Sequence, residues 1–323
     1  MATILPSSPL PIQTAGEIVD ICNWPLDEEF GIFPVGSKPK RAVFCPSPAP
    51  CPFLIAGHRY LFKVSKEWRI LQHWSEVIAY ALARLVGVTA APCFVAIDSQ
   101  AGEVGVLVEF FYGHPGSQVY PRLISGADLL RRRVEDYELD PDRHHTVGNI
   151  LLLSRSFSIP QRLPTWGRLL VFDALIGNTD RHPENWGFLA TPGQRQDWTF
   201  RLAPSFDHGT SLAYQIRDDD IKSESSEDRI QRHISRGRHH ARWSGENAER
   251  GHFKLYGLFA QVYPQAIPAM VETLDFNINE VKEVLGGCAR FDLANGAWND
   301  ERGAYVAKLI SARRQALREA LGA

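Results

Sequence analysis

The chain has 323 residues, with 35 Lys and Arg against 37 Asp and Glu, a net charge of −2. A hydrophobic fraction of 44% is enough for a packed core and excludes a disordered chain, while the near-zero charge excludes a global pull toward nucleic acid or an anionic membrane. No apolar run approaches the roughly 20 residues of a membrane helix, the first basic residue is Lys38, which argues against a secretory leader, and five cysteines without a CxxC pair read as reduced thiols of a cytoplasmic protein.

Residues 1–30 contain Pro and Ser, then Trp24 and Phe30, and read as an extended arm docked by a few aromatics. From Gly31 to about residue 112 the pattern is mainly strand. Phe33–Val35, Arg41–Phe44 and Arg59–Val64 are short β-type runs separated by turn residues. Cys45–Pro52 holds four prolines and must be a loop. Its Cys45 and Cys51 could pair or bind a metal, but no second cluster supports a zinc site. Val77, Ile78, Ala81, Leu82, Leu85 and Val86 have helical spacing and predict an amphipathic helix stopped by Gly87. Phe94–Asp98 and Val104–Phe111 predict a hairpin turning near Ala101-Gly102.

Beyond Gly113 the spacing is helical over Leu123–Tyr137, Thr146–Leu153, Trp166–Ile176, Phe253–Val262, Asn277–Leu285 and Glu301–Leu321. One hairpin is embedded, Trp186–Leu189 with Trp198–Leu202 around the turn Thr191–Gln194. The acidic, Ser-rich run Asp218–Asp228 and the basic run Arg229–Arg242, with five Arg and three His, predict a solvated loop. A substrate-docking or regulatory segment is the alternative.

The densest chemistry lies between Asp173 and Gly209. A helix ends at Gly177, a polar loop carries Asp180 and Asn185, the hairpin follows, and Ser205-Phe206-Asp207-His208-Gly209 comes next. Phosphoryl transfer from ATP needs a carboxylate to orient the acceptor hydroxyl, hard oxygen ligands for Mg²⁺ and a cation on the phosphates. Asp180 suits the first role, and Asn185 with Asp207 the second. Either residue alone would read as a turn cap; the ordered set around a hairpin is harder to explain that way. Lys63, on a strand with apolar neighbours, supplies the cation, and Glu76 in the following helix is its expected partner. Gly36, Ser37 and Lys38, in Val35–Lys40, would form the phosphate loop, and backbone groups of Glu109 and Phe111 the adenine hinge.

Leu175–Asn185 followed by Leu202–Asp207 closely resembles the catalytic and metal-binding segments of HipA-like serine/threonine kinases. Ser75–Gly87 resembles the family's glutamate-bearing helix, Val108–Phe111 its hinge and Pro34–Arg41 its phosphate loop. The resemblance implies an α+β, bilobal, protein-kinase-like fold, with a mainly β N-lobe over 31–112 and a helical C-lobe over 113–323. It implies ATP and Mg²⁺, Asp180 as catalytic aspartate, His182 as a brace of the catalytic loop, and a protein as substrate. Several members autophosphorylate a phosphate-loop serine, here Ser37. Toxin members bind a DNA-binding antitoxin; only the short arm 1–30 stands where the longer toxins carry an extra subdomain, which counts against an antitoxin or DNA as partner. Other readings are a nucleotide-binding module without turnover, a lipid kinase, since Asp180-Arg181-His182 is also an order found in phosphoinositide kinases, and a metal-dependent hydrolase built on Asp180, His182, Asp207 and His208.

Overall fold

A computed structural model describes residues 13–14, 17–28, 40–193 and 197–322. The expectations for Phe30, the strand Phe33–Val35 and the loop residues Gly36, Ser37 and Lys38 lie outside the described residues. The first part is a five-stranded sheet of β1 (Val19–Asp20), β2 (Lys40–Phe44), β3 (Arg59–Val64), β4 (Cys93–Asp98) and β5 (Glu103–Glu109) in the order β1-β4-β5-β3-β2. Only the β1–β4 pair is parallel. The arm therefore docks as an edge strand as well as through buried Trp24. Gly105 is required where it stands, because a Cβ there would meet the Lys63 carbonyl at 2.2 Å.

Helix α1 (Gln72–Leu85) lies between β3 and β4 in the chain, and the turn after it uses Gly87 at φ +69°. It buries Trp74, Ile78 and Leu82 in a core continuous with the helical part. That part begins with β6 (Arg122–Ser125), α2 (Gly126–Arg133), α3 (Pro141–His144), α4 (Val147–Ser156) and α5 (Arg162–Ile176). The strands β7 (Gly187–Pro192) and β8 (Trp198–Leu202) follow and join β6 in an antiparallel sheet of order β6-β7-β8. Then come α6 (Asp218–Glu224), α7 (Glu227–Ser235), α8 (His252–Val262), α9 (Ile267–Thr273), α10 (Ile278–Cys288) and α11 (Asp300–Leu321).

Two expectations change. The helix predicted over Leu123–Tyr137 starts only at Gly126, where the Ser125 hydroxyl accepts the Asp128 N–H; Leu123 and Ile124 instead pair with Leu189 and Phe188 in the sheet. The charged stretch 218–235 forms two helices in place of a loop. Ile221, Ile230 and Ile234 are buried in the main core, each contributing about 1.5–3 kcal/mol. Arg302 of α11, fully buried, donates from Nε to Asp218 at 2.7 Å and from Nη2 to the Ile216 carbonyl at 2.6 Å. Among the described residues no helix is long and apolar enough to cross a membrane.

Candidate active site

Strand alternation sorts the residues of β3. Tyr60, Phe62 and Val64 enter a core with Trp24, Phe53 and Phe94. Leu61 and Lys63 take the other face, where Leu61 pairs with Val108 and Lys63 with Val106. Leu61, Val106 and Val108 join Ala91, Cys93, Phe111 and Phe206 in an apolar platform beside the lysine. The sequence reading missed this platform, although the period of two in β3 and β5 announces it.

Lys63 Nζ lies 2.9 Å from Glu76 Oε1 and 3.2 Å from Asp207 Oδ1. Burial disfavours the ammonium form, but the two carboxylates outweigh it and hold the lysine pKa above its ordinary value. The other oxygen of Glu76 accepts the His208 backbone N–H at 2.8 Å. The expected Lys–Glu pair is thus formed, with Asp207 as its third member. Lys40 stands opposite Lys63 across the β2–β3 pair; burial, and then the Lys63 charge, lower its pKa.

α5 closes at Gly177 (φ +70°), whose N–H bonds the Asp173 carbonyl. Asn178 caps the bend, donating from Nδ2 to Asp173 Oδ1 at 2.9 Å and accepting the Asp180 N–H at 3.1 Å. A single helical turn, Pro183–Asn185, returns the chain so that Asn185 Nδ2 donates to the Asp180 carbonyl at 2.8 Å. That bond occupies the nitrogen end of the amide and leaves its oxygen as the atom able to meet a cation. Asp207 adopts φ +58°, a backbone state that costs a residue with a side chain about 1–3 kcal/mol and concentrates at functional sites.

The two loops are joined by Arg181, which the sequence reading passed over. The residue is 5% exposed. Nη1 donates to the carbonyls of Asn185 (2.9 Å) and Phe206 (2.7 Å), and Nη2 to Ser205 Oγ (2.8 Å). Burial would raise the pKa of its partner Asp173, but Arg181 outweighs that and holds it below the ordinary aspartate value. His182, expected to brace the loop, accepts the Glu184 N–H at 3.3 Å within its own turn; the brace across the loops is its neighbour. The only advance signal was an arginine flanked by Asp180 and His182 in a stretch otherwise rich in loop formers.

At the expected hinge, the Glu109 N–H is already bonded to the Pro92 carbonyl at 2.9 Å. Pro92 has no N–H to return, so of the two backbone groups of Glu109 the carbonyl is the one left for a ligand. The ring of Phe111 lies against Phe206, centroids 5.5 Å apart. Behind them His58 stacks on His114, and His114 Nε2 lies 3.4 Å from Glu109 Oε1.

The four hydrolase candidates do not converge. His208 is buried against Phe172 with Nε2 on Ser205 Oγ at 2.8 Å, and burial, then Arg181, pull its pKa down to about 3. Among the described residues the one His/Cys/Asp/Glu group whose ligand atoms converge is His58, Glu109 and His114. All five cysteines are free thiols, so Cys45 and Cys51 form no bridge.

Residues 36–274 match the family model for the HipA-like C-terminal domain. The crystal structure of CtkA, a proinflammatory kinase of Helicobacter pylori, superposes with a TM-score of 0.69 at 15% identity, covering 95% of this chain and 99% of that one. The two share a fold, α+β and bilobal, with a mainly β N-terminal part and a helical C-terminal part. The structure of Shewanella oneidensis HipA, solved with HipB and operator DNA, gives a TM-score of 0.48 at 15% identity over 99% of this chain and 74% of that one. No curated protein sequence matches the chain.

Proposed function

The chain belongs to the HipA-like C-terminal domain family, and from that premise we propose that it is an ATP- and Mg²⁺-dependent kinase acting on a serine or threonine hydroxyl of a protein. The observation that carries this reading is the contact of Lys63 with both Glu76 and Asp207 (2.9 and 3.2 Å) beside an apolar platform. A cation so paired is held charged and aimed, which is what a polyphosphate requires. The platform of Leu61, Val106 and Val108 suits the face of an adenine ring, with the Glu109 carbonyl and the backbone of Phe111 at its edge. Gly36, Ser37 and Lys38 would cover the phosphates from the N-lobe, 31–112, while 113–323 supplies the catalytic loop.

Asn185 and Asp207 fit a hard divalent cation, because each offers oxygen and Arg181 ties the Asn185 carbonyl to that of Phe206, the residue before Asp207. Mg²⁺, when bound there with the nucleotide, neutralises phosphate charge. Asp180 orients the acceptor hydroxyl and accepts its proton as the new O–P bond forms and ADP leaves. The five thiols suit a reducing compartment, and we place the enzyme in the cytoplasm. The test is label transfer from γ-labelled ATP with Mg²⁺ to a generic protein acceptor, beside a calorimetric titration with ATP. Binding without any transfer would favour a nucleotide-binding module and remove the kinase assignment.

A further inference from the structure

Arg229, Arg232, His233 and Arg236 recur at i, i+3, i+4 and i+7, so they share one face of α7 and the residue after it. Ile230 and Ile234, on the adjoining face, anchor the helix in the core. This face, basic through its three arginines while burial holds His233 neutral, lines a cleft of about 560 Å³ with Gly177, Thr179 and Arg313. Thr179 is next to Asp180, so the cleft opens beside the catalytic loop.

The charge of this cleft is not balanced. Its one acidic lining residue, Glu224, is engaged by Arg229 at 3.3 Å. Arg232 and Arg236 have no carboxylate within ion-pair distance among the described residues. Arg313 is the stronger anomaly. It is 5% exposed, its Nη1 donates to the Ala174 carbonyl at 3.1 Å, and its Nε is buried with no hydrogen-bond partner. Burial pulls its pKa down to about 10. The negative end of α5 offsets part of that cost, but a buried guanidinium without a carboxylate is expensive unless something anionic completes it.

We propose that this cleft binds carboxylate or phosphate groups of the acceptor polypeptide, so that the preferred acceptors are serines or threonines flanked by acidic or already phosphorylated residues. This rests on the kinase reading above and names its substrate class. Guanidinium forks match both anions in two-pronged geometry. The overall charge of −2 provides no long-range field for a nucleic-acid backbone, so the local cleft selects a short acidic stretch.

The test uses the full chain, Mg-ATP and four peptides with the same central serine. The flanks are Asp and Glu, phosphoserine, Gln and Ala, or Lys and Arg. The acidic or phosphorylated peptide is expected to exceed the Gln/Ala peptide by about tenfold in kcat/KM, and the ratio between the first two tells carboxylate from phosphate. The double substitution R232Q/R236Q, at two exposed positions, should erase the preference and leave intrinsic ATP hydrolysis unchanged. Equal rates on acidic and Gln/Ala peptides, or an undiminished preference in the double variant, overturn the proposal. If the wild type neither transfers nor hydrolyses, the kinase reading falls separately, and anisotropy titration of the labelled acidic peptides decides the cleft. Binding that R232Q/R236Q weakens about tenfold supports it; absence of binding, or displacement by polyuridylate at equal phosphate-to-carboxylate concentration, overturns it.

Discussion

Arg181 grips Asp173 at both carboxylate oxygens, Nε to Oδ2 at 3.0 Å and Nη2 to Oδ1 at 2.7 Å. The remaining nitrogen reaches the carbonyls on either side of the hairpin, so one buried ion pair sets the spacing of the loops that hold Asn185 and Asp207. Arg181→Ala leaves Asp173 charged and buried, and should cost about 3–5 kcal/mol. Arg181→Lys keeps the charge but loses the fork. It should stay folded by urea denaturation and lose most phosphate transfer; a wild-type transfer rate in Arg181→Lys would show that the brace is not needed.

Asp180→Ala should reduce label transfer by about 10²–10⁴-fold, the range of a lost general base, and largely spare ATP affinity in calorimetry. Asp207→Ala should abolish transfer and also weaken Mg-ATP binding, because it touches Lys63 as well as the proposed cation. Transfer at the wild-type rate in purified Asp180→Ala sinks the catalytic assignment.

Lys63→Met removes the ammonium from between two carboxylates and leaves Glu76, 1% exposed, without it. Destabilisation of about 3–5 kcal/mol is expected. Lys63→Met with Glu76→Gln should recover much of that stability in chemical denaturation and none of the transfer activity. If the second substitution restores no stability, the pair is not the dominant interaction there.

Acid should destabilise the fold before carboxylates titrate. Burial, as the leading cause, depresses His58, His233 and His239 to about 4 and His208 to about 3, from 6.5. Above pH 6.5 both folded and unfolded chains are neutral at these sites, and the full stability is present. Below it the unfolded chain binds protons that the native chain refuses until about pH 4, so stability falls as pH drops through that window. Thermal midpoints by circular dichroism at pH 7, 6, 5 and 4 should decline in order; a flat series contradicts the neutral burial of these rings.

Ser37 is proposed as an autophosphorylation site of the phosphate loop. Incubation with Mg-ATP should add a phosphate found by mass spectrometry at Ser37, and Ser37→Ala should remove it. Phosphate appearing only at other residues retires the idea.

The elements the sequence predicted well are those set by their own residues. β3 has the predicted limits, Arg59–Val64, because a run of aromatic and aliphatic residues stands between turn formers. α1 and α5 carry unbroken helical stripes, and each chain turn ends at a left-handed glycine, Gly87 or Gly177. β6 escaped because its choice between strand and helix is made by Leu189 and Phe188, more than sixty residues later. The charged run read as a loop because its three isoleucines are sparse, and the residue that orders its start, Arg302, is 84 positions away.

The same division runs through the candidate site. The order Lys63, Glu76, Asp180, Asn185, Asp207 is written in the chain, because each residue type is fixed by the chemistry it would perform. That Asp207 meets Lys63, that Arg181 rather than His182 joins the loops, and that a buried Arg313 lines a basic cleft beside Asp180 were decided only in three dimensions. Electrostatic partners act through distance in space, and no local periodicity encodes which distant charge will arrive.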